Sequence, residues 1–162
     1  MTLRCVHTCV LNLNVDEALG FDAFSAHAEQ SVFVLCDGAN SCPDSGAAAR
    51  WLSQSMAQAD TDALPRQLMS AHAQMCDKFP DTGSTVVRLH ARAQGLHLAS
   101  LGDSFLWLFH KPWGGWAPWR CIEQMPRDVD NQGHPTQLVG SEVCHTLHTR
   151  QHRPKGLYCA VL

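Results

Sequence analysis

Asp37 and Gly38 close the apolar run Phe33-Val34-Leu35-Cys36, so a carboxylate and a flexible backbone carbonyl arrive together at one strand end. Carboxylate, carbonyl and water oxygens are what hard divalent cations such as Mg2+ or Mn2+ prefer, and a site with few acids leaves several waters on the ion. Asp-Gly is also a common turn dipeptide, so the pair gains meaning only from its surroundings. Two later segments, Gly83-Ser84-Thr85-Val86-Val87 and Leu101-Gly102-Asp103-Ser104, again set an acid or hydroxyl beside glycine at the edge of an apolar run. A second group with metal-ligating side chains is Cys144, His145, His148 and His152. Its three- and four-residue spacing fits one face of a helix and a transition metal. Thr146, Thr149 and Pro154 weaken a helix there, and exposed histidines on an irregular strand are the default. Cys5 and Cys9 lack a second pair at zinc-finger spacing, which gives a structural zinc site little support.

The elements that must carry these residues follow from periodicity. Residues 3–13 alternate as a strand, and 31–36 form a compact run with β-branched and aromatic members, read as a buried strand. Pro43-Asp44-Ser45-Gly46 followed by Ala47-Ala48-Ala49 reads as a helix start, with a proline and an acid in the first turn. That helix should reach Met56 or Gln58. Leu64-Pro65 begins a second helix, with Leu64, Leu68, Ala71, Met75 and Phe79 on one apolar stripe that belongs to a core. From Gly83 the period becomes that of strands over 85–90, 96–101 and 105–109, with hairpins expected at Gln94-Gly95 and Gly102-Asp103. Residues 111–119 form a turn-rich excursion with three tryptophans, and 127–135 are polar and turn-like. Sequential strands after paired helices indicate an α+β domain.

Composition narrows the field. At 162 residues the chain suits one domain with a real core. Hydrophobic residues make up 45% and charged residues 17%, which excludes a solvated disordered chain. The net charge of −3 offers no field for nucleic-acid phosphates. No apolar stretch approaches the roughly 20 residues that cross a bilayer, so a soluble, cytoplasmic protein without nucleic-acid or membrane partners is expected. Most of the eight cysteines sit in apolar runs, where reduced thiols pack as small hydrophobes.

In this order the Asp37-Gly38 strand, the small-residue helix, Gly-Ser-Thr-Val-Val and Leu-Gly-Asp-Ser resemble the motif series of the type 2C metal-dependent protein phosphatases, over roughly residues 20 to 110. The resemblance implies an α-β-β-α sandwich of two antiparallel sheets flanked by helices, and an acidic centre binding two or more Mg2+ or Mn2+ ions. Asp37 would bridge two ions, with Gly38 supplying its carbonyl. The water between the ions would attack the phosphorus of a phosphoserine or phosphothreonine, while the cations neutralise the phosphoryl charge. Asp22, in Gly20-Phe21-Asp22-Ala23-Phe24, matches the acid of the family's first motif and would act on a metal directly or through water; otherwise it is a solvated turn acid. Asp103 matches an acid that can ligate a further, weaker ion; otherwise it is a hairpin-turn aspartate. Ser84 and Thr85 match a packing motif and carry no catalytic role.

The departures from the family pattern matter as much. Phe21 stands where many members carry a metal-binding acid, and Asp16 and Glu17 occupy the stretch where a phosphate-binding arginine is expected. A substrate phosphate would lack the bidentate guanidinium that normally holds it. No histidine follows Asp37-Gly38 to serve as a general acid. Residues 156–162 resemble the strand that, in the family, runs into a second Asp-Gly motif, and Leu162 ends the sequence. The expectation is a single, C-terminally incomplete phosphatase-like domain over 1–162, divergent or truncated and of low activity. Its partner would be a phosphoprotein substrate or a regulatory protein. The alternative is a noncatalytic phosphatase-like binding or regulatory module. An uncovered edge and face at the chain end would favour homo-oligomers.

Overall fold

The computed structural model describes residues 21–39, 44–112, 116–144, 146–153 and 157–161. The strand expected over 3–13, together with Pro43 and His145, lies outside them. The elements are β1 (Asp22–His27), β2 (Val32–Asp37), α1 (Ser45–Gln58), α2 (Leu64–Lys78), β3 (Val86–Arg92), β4 (Gly95–Leu101), β5 (Trp107–Lys111), β6 (Arg120–Gln124), β7 (His148–His152) and β8 (Leu157–Val161). They form a five-stranded sheet of order β1-β2-β3-β4-β7 and a three-stranded sheet of order β6-β5-β8. Every strand pairing in both is antiparallel.

Alternation along the strands builds two cores. Val32, Val34 and Cys36 of β2, Val86 of β3 and Leu101 of β4 face the helices and pack with Ala48, Leu52, Met56, Leu68 and Met75. The intervening residues Phe33, Val87, Leu89, Leu96 and Leu98 face the second sheet and meet Leu106, Leu108 and Met125. The α+β sandwich is therefore as expected, and among the described residues both helices lie on the five-stranded sheet. The small side chains of α1 explain its close approach. Ser45, Gly46, Ala48, Ala49, Ser53 and Ala57 are buried, and they let the backbone sit low on β1 and β2. Ser53 Oγ meets Ser25 Oγ of β1 at 2.9 Å. Asp44 is the residue before the helix rather than part of its first turn, and its side chain caps nothing. On α2, Leu64, Leu68, Ala71 and Met75 are buried as the stripe predicts.

Buried Arg88 projects from β3 into the helix-side layer and terminates α1. Its Nε donates to the Met56 carbonyl at 3.0 Å, and Nη2 to the Ala59 carbonyl at 2.8 Å. Nη1 donates to Thr61 Oγ1 at 3.0 Å. The Arg88 bonds supplement the single 3.4 Å bond from the Ala59 N–H that the Met56 carbonyl accepts at the helix end, and give the Ala59 carbonyl a donor;.

One expected hairpin does not form. β3 and β4 pair through the Gln94-Gly95 turn, but the Gly102-Asp103 connection leads from one sheet to the other, because β5 pairs with β6 and β8. Leu106 and Leu108 bury completely between the sheets, and that burial outweighs the local pairing signal of a short polar link. β7, with the sequence His-Thr-Arg-Gln-His, forms without an apolar pattern because it lies at the edge beside β4. Among the described residues no helix is long and apolar enough to cross a membrane.

Candidate functional site

Asp22 opens β1 and Asp37 closes β2, and the register sets them directly opposite one another. Directly opposed residues in an antiparallel pair share a face. That face is the one carrying Phe24 and Phe33, which pack between the sheets. The two carboxylates therefore stand at one end of the sandwich, where the inter-sheet core gives way to solvent. Asp22 is exposed and Asp37 half-buried.

The backbone of Asp37 is fixed by the Gly-Ser-Thr segment. Its N–H donates to Thr85 Oγ1 at 3.1 Å, and its carbonyl accepts from the Thr85 N–H at 2.9 Å and from Ser84 Oγ at 3.0 Å. Ser84 is itself locked by reciprocal 2.9 Å backbone bonds with Val139. Ser84 and Thr85 thus act as scaffold, in line with a packing motif. Gly38 continues the strand end, its N–H donating to the Phe21 carbonyl at 3.0 Å. A Cβ on Gly38 would lie 2.5 Å from the Ser45 carbonyl oxygen, so only glycine lets the first turn of α1 descend onto the strand end.

Asp103 follows Gly102, whose φ of +96° is the left-handed turn that carries the chain out of β4;. Ser104 Oγ lies 2.6 Å from Thr85 Oγ1, so the hydroxyl that supports Asp37 also ties down this loop. The electrostatics of Asp37 record the convergence. Burial, then a hydrogen bond with the Asp22 carboxyl, then the negative charges of Asp22 and Asp103 raise its pKa to about 7. Asp37 thus retains its proton to near-neutral pH;.

The structure places Asp22, Asp37 and Gly38 together at this end of the sandwich, with Asp103 near enough to Asp37 to act on it electrostatically. Among the described residues, no group of three or more His, Cys, Asp or Glu side chains is close enough to hold a metal ion. The donor set still fits a hard dication at the Asp22–Asp37 pair. Two hydrogen-bonded carboxylates hold a proton that a divalent cation can replace, and oxygen is the donor such ions prefer.

Two members of the histidine cluster, His148 and His152, lie on the strand β7 rather than on a helix face, as the default reading expected. His148 and His152 point to the same side of β7. His148 Nε2 lies 2.7 Å from Asp128 Oδ1 and His152 Nε2 lies 3.0 Å from Glu123 Oε2, so the pair ties the five-stranded sheet to the segment that contains β6. Cys144 packs in the helix-side core. Among the described residues Cys36, Cys76, Cys121 and Cys144 are free thiols. Two residues to which the sequence reading gave no role, Arg127 and Asp128, contact the Gly102-Asp103 loop directly. They sit in a polar stretch with no period, and nothing local distinguishes them from other turn residues.

This sandwich is a fold shared with bacterial serine/threonine phosphatases. Stp1 from Staphylococcus aureus superposes with a TM-score of 0.64 at 13% identity, over 93% of this chain and 76% of that one. PppA, described as a key regulatory component of T6SS in Pseudomonas aeruginosa, gives 0.64 at 17% identity over 87% and 68%. The Mycobacterium tuberculosis serine/threonine phosphatase PstP/Ppp gives 0.62 at 18% identity over 86% and 70%. No protein-family model and no curated protein sequence matches the chain. At these identities the likeness establishes the fold.

Proposed function

We propose that this chain is a phosphatase-like domain whose acidic end binds Mg2+ or Mn2+ through Asp37, Asp22 and the Gly38 carbonyl, with Asp103 in the same cleft. Its substrates would be phosphoserine or phosphothreonine proteins. The observation that carries the reading is the Asp22–Asp37 pair, opposed in register and sharing a hydrogen bond at the open end of a phosphatase fold. Bound divalent ions would supply an activated water and neutralise phosphoryl charge. The chain's own contribution is to hold two carboxylates at fixed separation and, through Ser84 and Thr85, to keep their strand end rigid. No arginine lies between Asp16 and Asp22 to orient a phosphate, so slow turnover is the outcome this reading expects of the chain.

A second reading, a noncatalytic module that binds a phosphoprotein or regulatory partner, is favoured by the absence of a three-ligand group among the described residues. The two are separated by titrating Mn2+ into the chain and assaying p-nitrophenyl phosphate hydrolysis in parallel. Millimolar or weaker binding that Asp37→Asn abolishes, with slow metal-dependent turnover, supports the phosphatase. Binding without turnover supports the module. Binding unchanged in Asp37→Asn rejects the metal site.

A further inference from the structure

Asp103 comes close enough to Asp37 for the two carboxyl groups to repel whenever both are ionised, so something must hold its loop in position. The segment after β6 does so. Met125 N–H donates to the Leu106 carbonyl at 3.0 Å, and Ser100 Oγ donates to the Pro126 carbonyl at 3.4 Å. Arg127 and Asp128 then grip the loop itself. Asp128 Oδ2 accepts from the Gly102 N–H at 2.8 Å, and the Asp128 N–H returns a bond to the Gly102 carbonyl at 2.9 Å. Arg127 Nε donates to the Asp103 carbonyl at 2.7 Å, while its guanidinium carbon sits 4.0 Å over the Phe105 ring. Residues 102, 103 and 105 are therefore each held by one dipeptide, and Ser104 by Thr85 from the opposite side.

The second oxygen of Asp128 is also used. With 11% of its side chain exposed, Asp128 presents Oδ1 to His148 Nε2 at 2.7 Å. An ionised carboxylate only accepts, so the imidazole donates. Its backbone carbonyl accepts from Thr136 N–H at 2.7 Å. A carboxylate with both oxygens engaged and its main chain bonded on both sides has one orientation, and the loop it holds inherits that orientation.

We propose that Asp128, supported by Arg127 and His148, is the positioning residue that fixes Asp103 against the Asp22–Asp37 pair and so sets the cation affinity of the cleft. The affinity clause rests on the metal-binding reading above; the positioning clause does not. In metal-free protein, Asp128→Ala should accelerate amide exchange at Gly102, Asp103 and Ser104 by at least about tenfold, leaving Val87 and Leu98 unchanged. Asp128→Asn keeps an oxygen for the Gly102 N–H and should retain most of the protection. It also carries the test if the alanine variant loses its core protection. By electron paramagnetic titration, Asp128→Ala should weaken Mn2+ binding about tenfold, as loss of a residue supporting a ligand does. Asp103→Ala should match it, and the double variant should be no weaker than either single. Unchanged exchange at Gly102 in Asp128→Ala overturns the proposal, as does a double-variant loss equal to the product of the singles. Wild-type protein that binds no Mn2+ sinks the metal reading, and the exchange result then decides the positioning role by itself.

Discussion

Asp37→Asn removes one of the two opposed carboxylates at nearly constant shape, and its effect on stability should reverse with conditions. In the unfolded chain Asp37 titrates near 3.8, whereas in the fold burial and the Asp22 carboxyl raise it to about 7. The folded state thus holds the proton more tightly. The penalty is absent below the unfolded value, grows as pH rises through the interval between the two, and is complete above about 7;. At ~1.36 kcal/mol per pH unit the full interval corresponds to about 4 kcal/mol, and partial exposure of the pair to solvent reduces this to about 2. An asparagine has no charge to desolvate and can donate to Asp22. Metal-free Asp37→Asn should therefore be about 2 kcal/mol more stable than wild type at pH 8, or roughly 4–8 °C in Tm for a domain of this size. At pH 4 the two should be nearly equal. Saturating Mn2+ should invert the order at pH 8, since ligation stabilises only the chain that binds. Urea denaturation of both chains at pH 4 and pH 8, with and without Mn2+, reads all four corners. A variant equally destabilised at both pH values would mean that Asp37 is a packing residue and that the carboxylate pair stores no electrostatic cost.

Arg88→Met should cost about 3 kcal/mol in urea denaturation, because it strips a buried guanidinium from the Ala59 carbonyl and from the Met56 carbonyl, which keeps only the long 3.4 Å bond from the Ala59 N–H;. A loss below about 1 kcal/mol would show that solvent replaces those bonds. Phe105, Trp119, Ile122 and Val161, on or beside the three-stranded sheet, are each at least 40% exposed. Sedimentation should accordingly detect a dimer or larger species at micromolar concentration, and Ile122→Lys with Val161→Lys should return it to monomer. A monomeric wild type would refute the association.

How much of this was legible depended on whether a residue's neighbours in sequence were also its neighbours in space. The run ending in Asp37 announced itself, since apolar alternation and a terminal Asp-Gly are local signals. So did α1 and α2, whose stripes repeat at helical spacing within one segment. β1 did not, because Asp22–His27 contains too few apolar residues to show a period, and β7 was expected only as an irregular strand, since His148–His152 has no apolar pattern to set its bounds. They become strands only when β2 and β4 offer them an edge. The false hairpin at Gly102 has the same origin: a short turn-rich link looks identical whether the next strand pairs back or crosses to another sheet. The histidines of β7 lie on a strand, as the default reading has it, but His148 and His152 are half-buried and paired rather than exposed. Their partners Asp128 and Glu123 lie 20 and 29 residues away, beyond any spacing rule.

The same reasoning explains why the candidate cleft is assembled as it is. Asp22 and Asp37 are joined by one strand pairing, so their mutual approach follows from register and needs no further support. Asp103 arrives by a crossover between sheets, has no strand partner of its own, and meets like charge. A loop in that situation relaxes away unless it is tied down. Here the ties are Thr85 on one side and Arg127 with Asp128 on the other. Thr85 also fixes Asp37, so one hydroxyl serves both acids, and displacement of either would be felt by the other. The residues that could touch a cation are visible as a motif, whereas those that keep them in position are dispersed through the polar segments of the chain.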